Sequence, residues 1–352
     1  MKTGLTLSQL ASKIEGNAAL KRDYVADTSR MQMIVQPGDK TGSMRPAIEI
    51  DGHGAFPILS LAHDQIGQRT GIPAKYYDRM LVEAPQLLAQ NVNTWFQTKP
   101  EKRMARTLGG DMRAFLSNRY QRIEDEEIAK VALPVLAELP KVQIVSSEIT
   151  EKRLYIHFVV PTIEGEVKKG DVVQAGGIIS NSEVGCGSAS VSGLLWRLIC
   201  LNGAKTTETF RRNHVGRAVD DGEMDWSDDT RQADDRTVLL KIRDMVRAVV
   251  DETRFKANLL KMQGLAEQVV SGDPTKAVEV LAQKLDASEA ERGGILRSLI
   301  EGGDLSAWGL MNAVTAQAHK AISYDRAVEF ESMGGKLIDL PASEWKQVLE
   351  AA

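Results

Sequence analysis

The sequence predicts an α+β fold: an antiparallel three-stranded β-β-β-α core with flanking helices and a helical C-terminal region. Three observations carry that expectation. Leu154, Ile156, Phe158 and Val160 alternate with Arg153, Tyr155 and His157, the period-two pattern of a half-buried strand. Pro161, Gly165 and Gly170 then separate strand 153–160 from two further strand-like runs, 172–180 and 184–191. From Thr237 onward, Val238, Ile242, Met245, Val246 and Val249 keep a helical period.

Residues 1–60 form an N-terminal segment of weak periodicity. Leu7, Leu10, Ala11 and Ile14 predict a short helix; VQPGDKTGSMRP reads as loop, and Met44–Ile50 and Phe56–Leu59 as short strands. His63–Met80 holds two helical patterns around Thr70-Gly71 and Ile72-Pro73. Such a helix-turn-helix could read duplex DNA or simply support a core. Ala84–Gln97 is a helix with Leu87, Leu88, Val92 and Trp95 on its apolar side. RMARTLGGDMRAFLS is a hairpin turning at Gly109-Gly110-Asp111, with arginines on both arms. Glu124-Asp125 open a helix to Leu139, with acids in its first turn where the helix dipole favours them; Pro134 should bend it.

The core unit, 61–218, centres on the three strands. Gly176-Gly177 inside the second strand imply a bulge or the close approach of another backbone. SGLLWRLICLNGA reads as a helix, with Leu194, Leu195, Leu198 and Leu201 at helical spacing and Asn202-Gly203 as its stop. A basic run, KTTETFRRNHVGR, follows. An acidic linker spans 219–236 and a helical region 237–352. There Thr237–Gln268 reads as one long helix, followed by Thr275–Lys284, Ser288–Ile300 and Leu305–Lys320, with Trp308, Leu310 and Val314 as packing residues.

A chain of 352 residues with net charge −4 is not a basic nucleic-acid coat. The charge is uneven, however. From Lys102 to Arg122 there are six basic residues and one acid, and from Asp220 to Asp235 eight acids and one base. No run has the length of a transmembrane helix, and the N-terminus lacks the apolar core of a signal peptide, so a cytoplasmic location is the expectation. Cys186 and Cys200 are expected to be reduced, buried thiols.

No phosphate-binding loop and no dinucleotide fingerprint is present, which argues against an ATP-driven motor or recombinase. His53, His63, His157, His214 and His319 lack metal-ligand spacing, and the serines lack a nucleophile elbow. Neither a catalytic residue nor a metal or cofactor is expected. The remaining signal is basic. Arg106 and Arg113 lie across the hairpin, Arg119 and Arg122 bracket Tyr120, and Lys205, Arg211, Arg212 and Arg217 follow the core. Arginines interleaved with an aromatic suit a single strand, whose phosphates take the charge and whose bases stack. The competing reading pairs these arginines with the abundant acids.

At FLSNRYQRIEDEEIAKVALPVL, VVQAGGIISNSEVGCGSASV, LLWRLICLNGA and FRRNHVGR the sequence resembles a phage and plasmid family, domain of unknown function nine hundred and thirty-two. The resemblance covers roughly Leu59 to Arg254, and WGLMNAVTAQAHKAISYDRAVEFESMGGKL looks like the C-terminal end of phage members. By topology the core is similar to the single-strand annealing proteins Redβ, RecT, Erf and the eukaryotic Rad-type protein. That resemblance implies a ring- or filament-forming homo-oligomer in a bacterial host cell. It would bind and anneal single-stranded DNA without ATP, with no membrane partner. The alternative expectation is a duplex-binding regulator or host-interaction protein using His63–Met80.

Overall fold

The computed structural model describes residues 1–38, 44–212 and 227–352. The described residues bear out the α+β class: every sheet is antiparallel and the C-terminal region is helical.

The N-terminal part holds α1 (Leu7–Leu20), β1 (Lys21–Asp27), β2 (Met31–Pro37), β3 (Met44–Ile50), β4 (Gly54–Pro57), α2 (Ser60–Thr70), α3 (Ala74–Glu83), α4 (Pro85–Thr98), β5 (Lys102–Leu108) and β6 (Asp111–Ser117). Thr6 and Gln9 start α1 with a reciprocal capping box. The strands form two sheets, β1-β5-β6 and β2-β3-β4. The β5–β6 hairpin turns at Gly109 (φ 62°) and Gly110 (φ 97°), a backbone that glycine adopts without strain. α2 and α3 do form a helix pair about Gly71 (φ 69°). They bury Ile66, Tyr77 and Met80 in one core with Met33, Ile48, Leu88 and Phe96. The exposed side of α3 balances Lys75 and Arg79 against Asp78 and Glu83, and Arg79 Nε lies 2.8 Å from Glu83.

The central part runs α5 (Asp125–Glu138), β7 (Gln143–Ile149), β8 (Leu154–Lys168), β9 (Asp171–Asn181), β10 (Ala189–Arg197) and β11 (Asn202–Arg212). These five strands make a meander in the order β11-β10-β9-β8-β7. The C-terminal helices are α6 (Asp228–Ala248), α7 (Glu252–Glu267), α8 (Pro274–Lys284), α9 (Glu289–Gly302), α10 (Ala307–Lys320), α11 (Tyr324–Ile338) and α12 (Ala342–Leu349). Leu154, Ile156, Phe158, Ile179 and Val191 pack with α1, α5 and α6. Each such fully buried side chain contributes about 1.5–3 kcal/mol. Val173, Ala175 and Leu195 join the helical core of Phe255, Met262, Leu281, Trp308 and Phe330.

Five expectations are corrected. Residues 192–204 are not a helix: β10 continues to Arg197, a turn follows, and β11 starts at Asn202. Leu194 and Leu195 enter different cores, so both faces of the strand are apolar and the period-two signal vanishes. Leu198 and Leu201, which completed the helical spacing, stand exposed in the turn. The third strand begins at Ala189, because 182–188 is a loop. From Leu154 to Val160 β8 is buried on both faces, with Tyr155 under Tyr324 and Val328 of α11. The long helix 237–268 breaks after Ala248, where the Asp251 carboxylate accepts the Arg254 N–H at 2.7 Å and starts α7 afresh. Cys186 is half-buried and Cys200 is exposed, not buried.

Gly176 and Gly177 mark a close approach, as their sequence position implies. A β-carbon on Gly177 would lie 2.5 Å from the Phe158 ring and 3.0 Å from Val249, and one on Gly176 would run into the Phe158 carbonyl.

Candidate nucleic-acid interface

The arginines of the β5–β6 hairpin do not face solvent. β1 runs beside β5, and this brings Asp23 opposite Arg106. The loop after β9 brings Glu183, and the start of α5 brings Glu124. Arg106 donates to Asp23 Oδ1 at 2.8 Å, to the Glu183 carbonyl at 2.8 Å and to the Glu124 carboxylate. Its side chain is 1% exposed. Arg113 Nη2 lies 2.9 Å from Glu183 Oε2, and Lys21 bridges Glu124 and Glu183. Burial works against the Arg106 charge, but Glu124 and Asp23 more than offset it and hold the guanidinium protonated. Burial likewise opposes the Glu124 charge, yet Arg106 and Lys21 pull that carboxyl down to about 2.

Asp125 behaves in the opposite way. Burial, with the neighbouring Glu183 charge, pushes its carboxyl up to about 8. Asn181 Nδ2 donates to Asp125 Oδ1 at 2.7 Å, and the Asp125 N–H donates to Glu183 Oε1 at 2.8 Å. Tyr120 is buried as well: its hydroxyl donates to the Ser182 carbonyl at 2.7 Å, and burial raises its phenol. This network clamps the β1-β5-β6 sheet to the start of α5 and to the 182–188 loop. A phosphate could reach Arg106 only by displacing two carboxylates.

The other candidates lie nearer to solvent. Arg119 is exposed in the turn after β6. The Arg122 side chain is 55% exposed and lies 3.2 Å from Asp23. Lys205 is half-buried and Arg211 exposed, both on β11, the edge strand of the five-stranded sheet. Arg212 closes β11; its side chain, and Arg217 and His214, lie outside the described residues, as do 219–226 of the expected acidic linker, whereas its remainder from Asp228 onward is the first part of α6 and not a linker. The structure thus joins Arg106, Arg113, Tyr120 and Arg122 around one acidic network and sets Lys205 and Arg211 apart on β11.

Beside β11 opens a cleft of ≈ 280 Å3 between β9–β11 and α7. Arg254, Asn258 and Lys261 line it at positions i, i+4 and i+7, one face of a helix. Gly176 and Gly193 form part of its floor, and Val249, Leu195 and Phe255 supply apolar walls. The β10–β11 register shifts between Ser192 and Leu194, a bulge at which Thr206 approaches Gly193; a β-carbon there would lie 2.5 Å from Thr206 Oγ1. Lys261 pairs with Asp339 at 2.6 Å. The Arg254 guanidinium, the Asn258 amide and the Thr206 hydroxyl have no hydrogen-bond partner among the described residues. The sequence reading passed over these residues, because their signal is a helical i, i+4, i+7 set inside what looked like an uninterrupted amphipathic helix.

A second polar chain is sealed. His157 Nε2 lies 2.9 Å from Glu331 Oε2, Tyr324 OH lies 3.2 Å from His157 Nδ1 and 2.7 Å from Ser146 Oγ, and His157 and Glu331 are 0% exposed. The order of groups resembles a nucleophile–base–carboxylate relay, but a substrate has no path to it. His63, buried against the Tyr77 hydroxyl at 2.9 Å, is pushed by burial down to about 4 and stays neutral.

Among the described residues no group of three His, Cys, Asp or Glu is placed to hold a metal ion, and no helix is long and apolar enough to cross a membrane. No protein-family model, no curated protein and no solved structure matches the chain.

Proposed function

We propose that the protein binds single-stranded DNA and anneals it to its complement without ATP, as a homo-oligomer in the cytoplasm of a bacterial host cell. The reading involves no chemical step and no cofactor. One observation supports it above the rest: edge strand β11 carries Lys205, Arg211 and Arg212, and the cleft beside it holds the unpartnered guanidinium of Arg254. Cations along a groove with apolar walls suit a flexible strand, which offers phosphates at regular spacing and bases that can be buried.

The contact set this supports is Lys205, Arg211 and Arg254, with Arg119 and Arg122 as outlying candidates. Arg106, Arg113 and Tyr120 serve the fold. The duplex-binding alternative draws less support, because α3 presents as many carboxylates as cations where a recognition helix needs a cationic face.

The test is a titration of labelled oligo-dT, mixed-sequence single strand and duplex at several salt concentrations, with an annealing assay lacking ATP. Light scattering alongside reports the assembly. Sequence-tolerant single-strand binding, tighter than duplex binding, and a species larger than a monomer are expected. Equal or tighter duplex binding, or a strict monomer with and without DNA, would overturn the reading.

A further inference from the structure

We infer that the cleft between β9–β11 and α7 takes a single nucleobase of the bound strand; the inference rests on the strand-binding reading and names what enters its groove. The composition of the cleft carries it. Asn258 offers a donor and an acceptor, and Thr206 a hydroxyl that can do either; both are half-buried and unpartnered among the described residues. Those are the groups that complement the edges of a base. Arg254, also unpartnered, is the exposed member. Charge therefore sits outermost and uncharged polar groups sit within, which matches a phosphate outside and a base inside.

The rest of the site fits a flat ring. At Gly176 and Gly193 no side chain rises from the floor, and Phe255 supplies an apolar wall. A volume of ≈ 280 Å3 is just under the usual range for drug-sized ligands and suits one base, not a dinucleotide. A polyphosphate is the wrong ligand. Lys261 is already paired with Asp339, and Asp251 adds a second carboxylate to the lining, so a multiply charged anion would meet repulsion. The base could come from a strand or from a free mononucleotide, and the experiment separates these.

Binding of a labelled oligo-dT and of the same oligomer with abasic residues is measured for the parent protein and for Asn258→Ala and Thr206→Val. Binding of free thymidine monophosphate is measured in parallel. The parent should bind the dT strand about tenfold more tightly than the abasic strand, the size of one or two lost base contacts. Asn258→Ala should shrink that difference without changing the salt slope or the melting temperature. Thr206→Val, which keeps the shape and removes the hydroxyl, should do the same to a lesser extent. Equal binding of dT and abasic strands, or a full difference retained in both variants, overturns the inference and leaves strand binding intact. Binding of free nucleotide that is lost in Asn258→Ala, with no strand binding, upholds the pocket and overturns the strand reading. Binding of neither probe removes both.

Discussion

Around Arg106 the chain gathers three arginines, a lysine and four carboxylates; around Arg254 it gathers an arginine, a lysine and two carboxylates. The balance of charge is similar and the outcomes differ. At Arg106 every cation meets a carboxylate, the central guanidinium is sealed from water, and a carboxyl that cannot ionise cheaply, Asp125, keeps its proton. At Arg254 only Lys261 is matched, the helix start consumes Asp251, and the guanidinium is left over. Basic residues in a sequence therefore mark where charge is available to the fold, and only three-dimensional pairing decides which of it remains for a ligand.

That contrast can be broken most directly at Arg106. Arg106→Ala leaves Asp23 and Glu124 facing each other without their shared cation. It should destabilise the protein by about 3–5 kcal/mol, the usual cost of removing one partner of a buried ion pair. Urea unfolding would show it; a loss under about 1 kcal/mol would mean the network does not hold the N-terminal sheet in place.

The next effect is a pH dependence at Asp125. Its ordinary value is 3.8 and its folded value about 8, so between these the folded state holds a proton that the unfolded chain has released. The stability from this group therefore falls as pH rises through that window, by about 1.4 kcal/mol per pH unit for one proton. Asp125→Asn keeps the bond from Asn181 and cannot ionise. The stability of the parent minus that of the variant should decline steadily from about pH 5 to pH 8. Taking the difference removes the opposing contribution of His63, whose folded value is lowered. A flat difference would mean that the Asp125 carboxyl is ionised or wetted in the folded state.

The sequence showed more of the fold than of the site. The hairpin at Gly109-Gly110, the acid-rich start of α5 and the C-terminal helices were legible because each is coded within a few residues by turn chemistry, capping or period. β1 was not, since its residues are mostly half-exposed and its register is set by β5, some eighty positions away. β10 read as helix because both its faces are apolar. The site failed for a related reason. Arg106 is neutralised by Asp23 and Glu124, 83 and 18 residues distant, and donates a further hydrogen bond to the carbonyl of Glu183, 77 residues distant. No window of sequence contains all of them.

A smaller effect tests the place of Tyr120. Tyr120→Phe removes a hydroxyl that donates to the Ser182 carbonyl and accepts from Gly185 N–H at 3.3 Å. The loss should be about 1 kcal/mol of stability, one net hydrogen bond, with single-strand affinity unchanged. A drop in affinity without a drop in stability would return Tyr120 to the binding surface as a stacking partner.

The smallest expected change in stability is at Arg254, and it sharpens the contrast most. The residue is exposed and its guanidinium bonds nothing among the described residues, so Arg254→Ala should alter stability by no more than about 0.5 kcal/mol. Only its backbone N–H takes part in the Asp251 cap, and alanine keeps that bond. If the side chain neutralises one phosphate, its removal releases one fewer counterion. The slope of log affinity against log salt should then flatten by about 0.7, the single-strand value for one phosphate. Arg106→Ala gives the reverse pattern where enough of it stays folded to titrate: a large loss of stability and an unchanged slope. Should Arg254→Ala keep the parental slope while the parent binds single strands, the strand runs along β11 without crossing the mouth of the cleft.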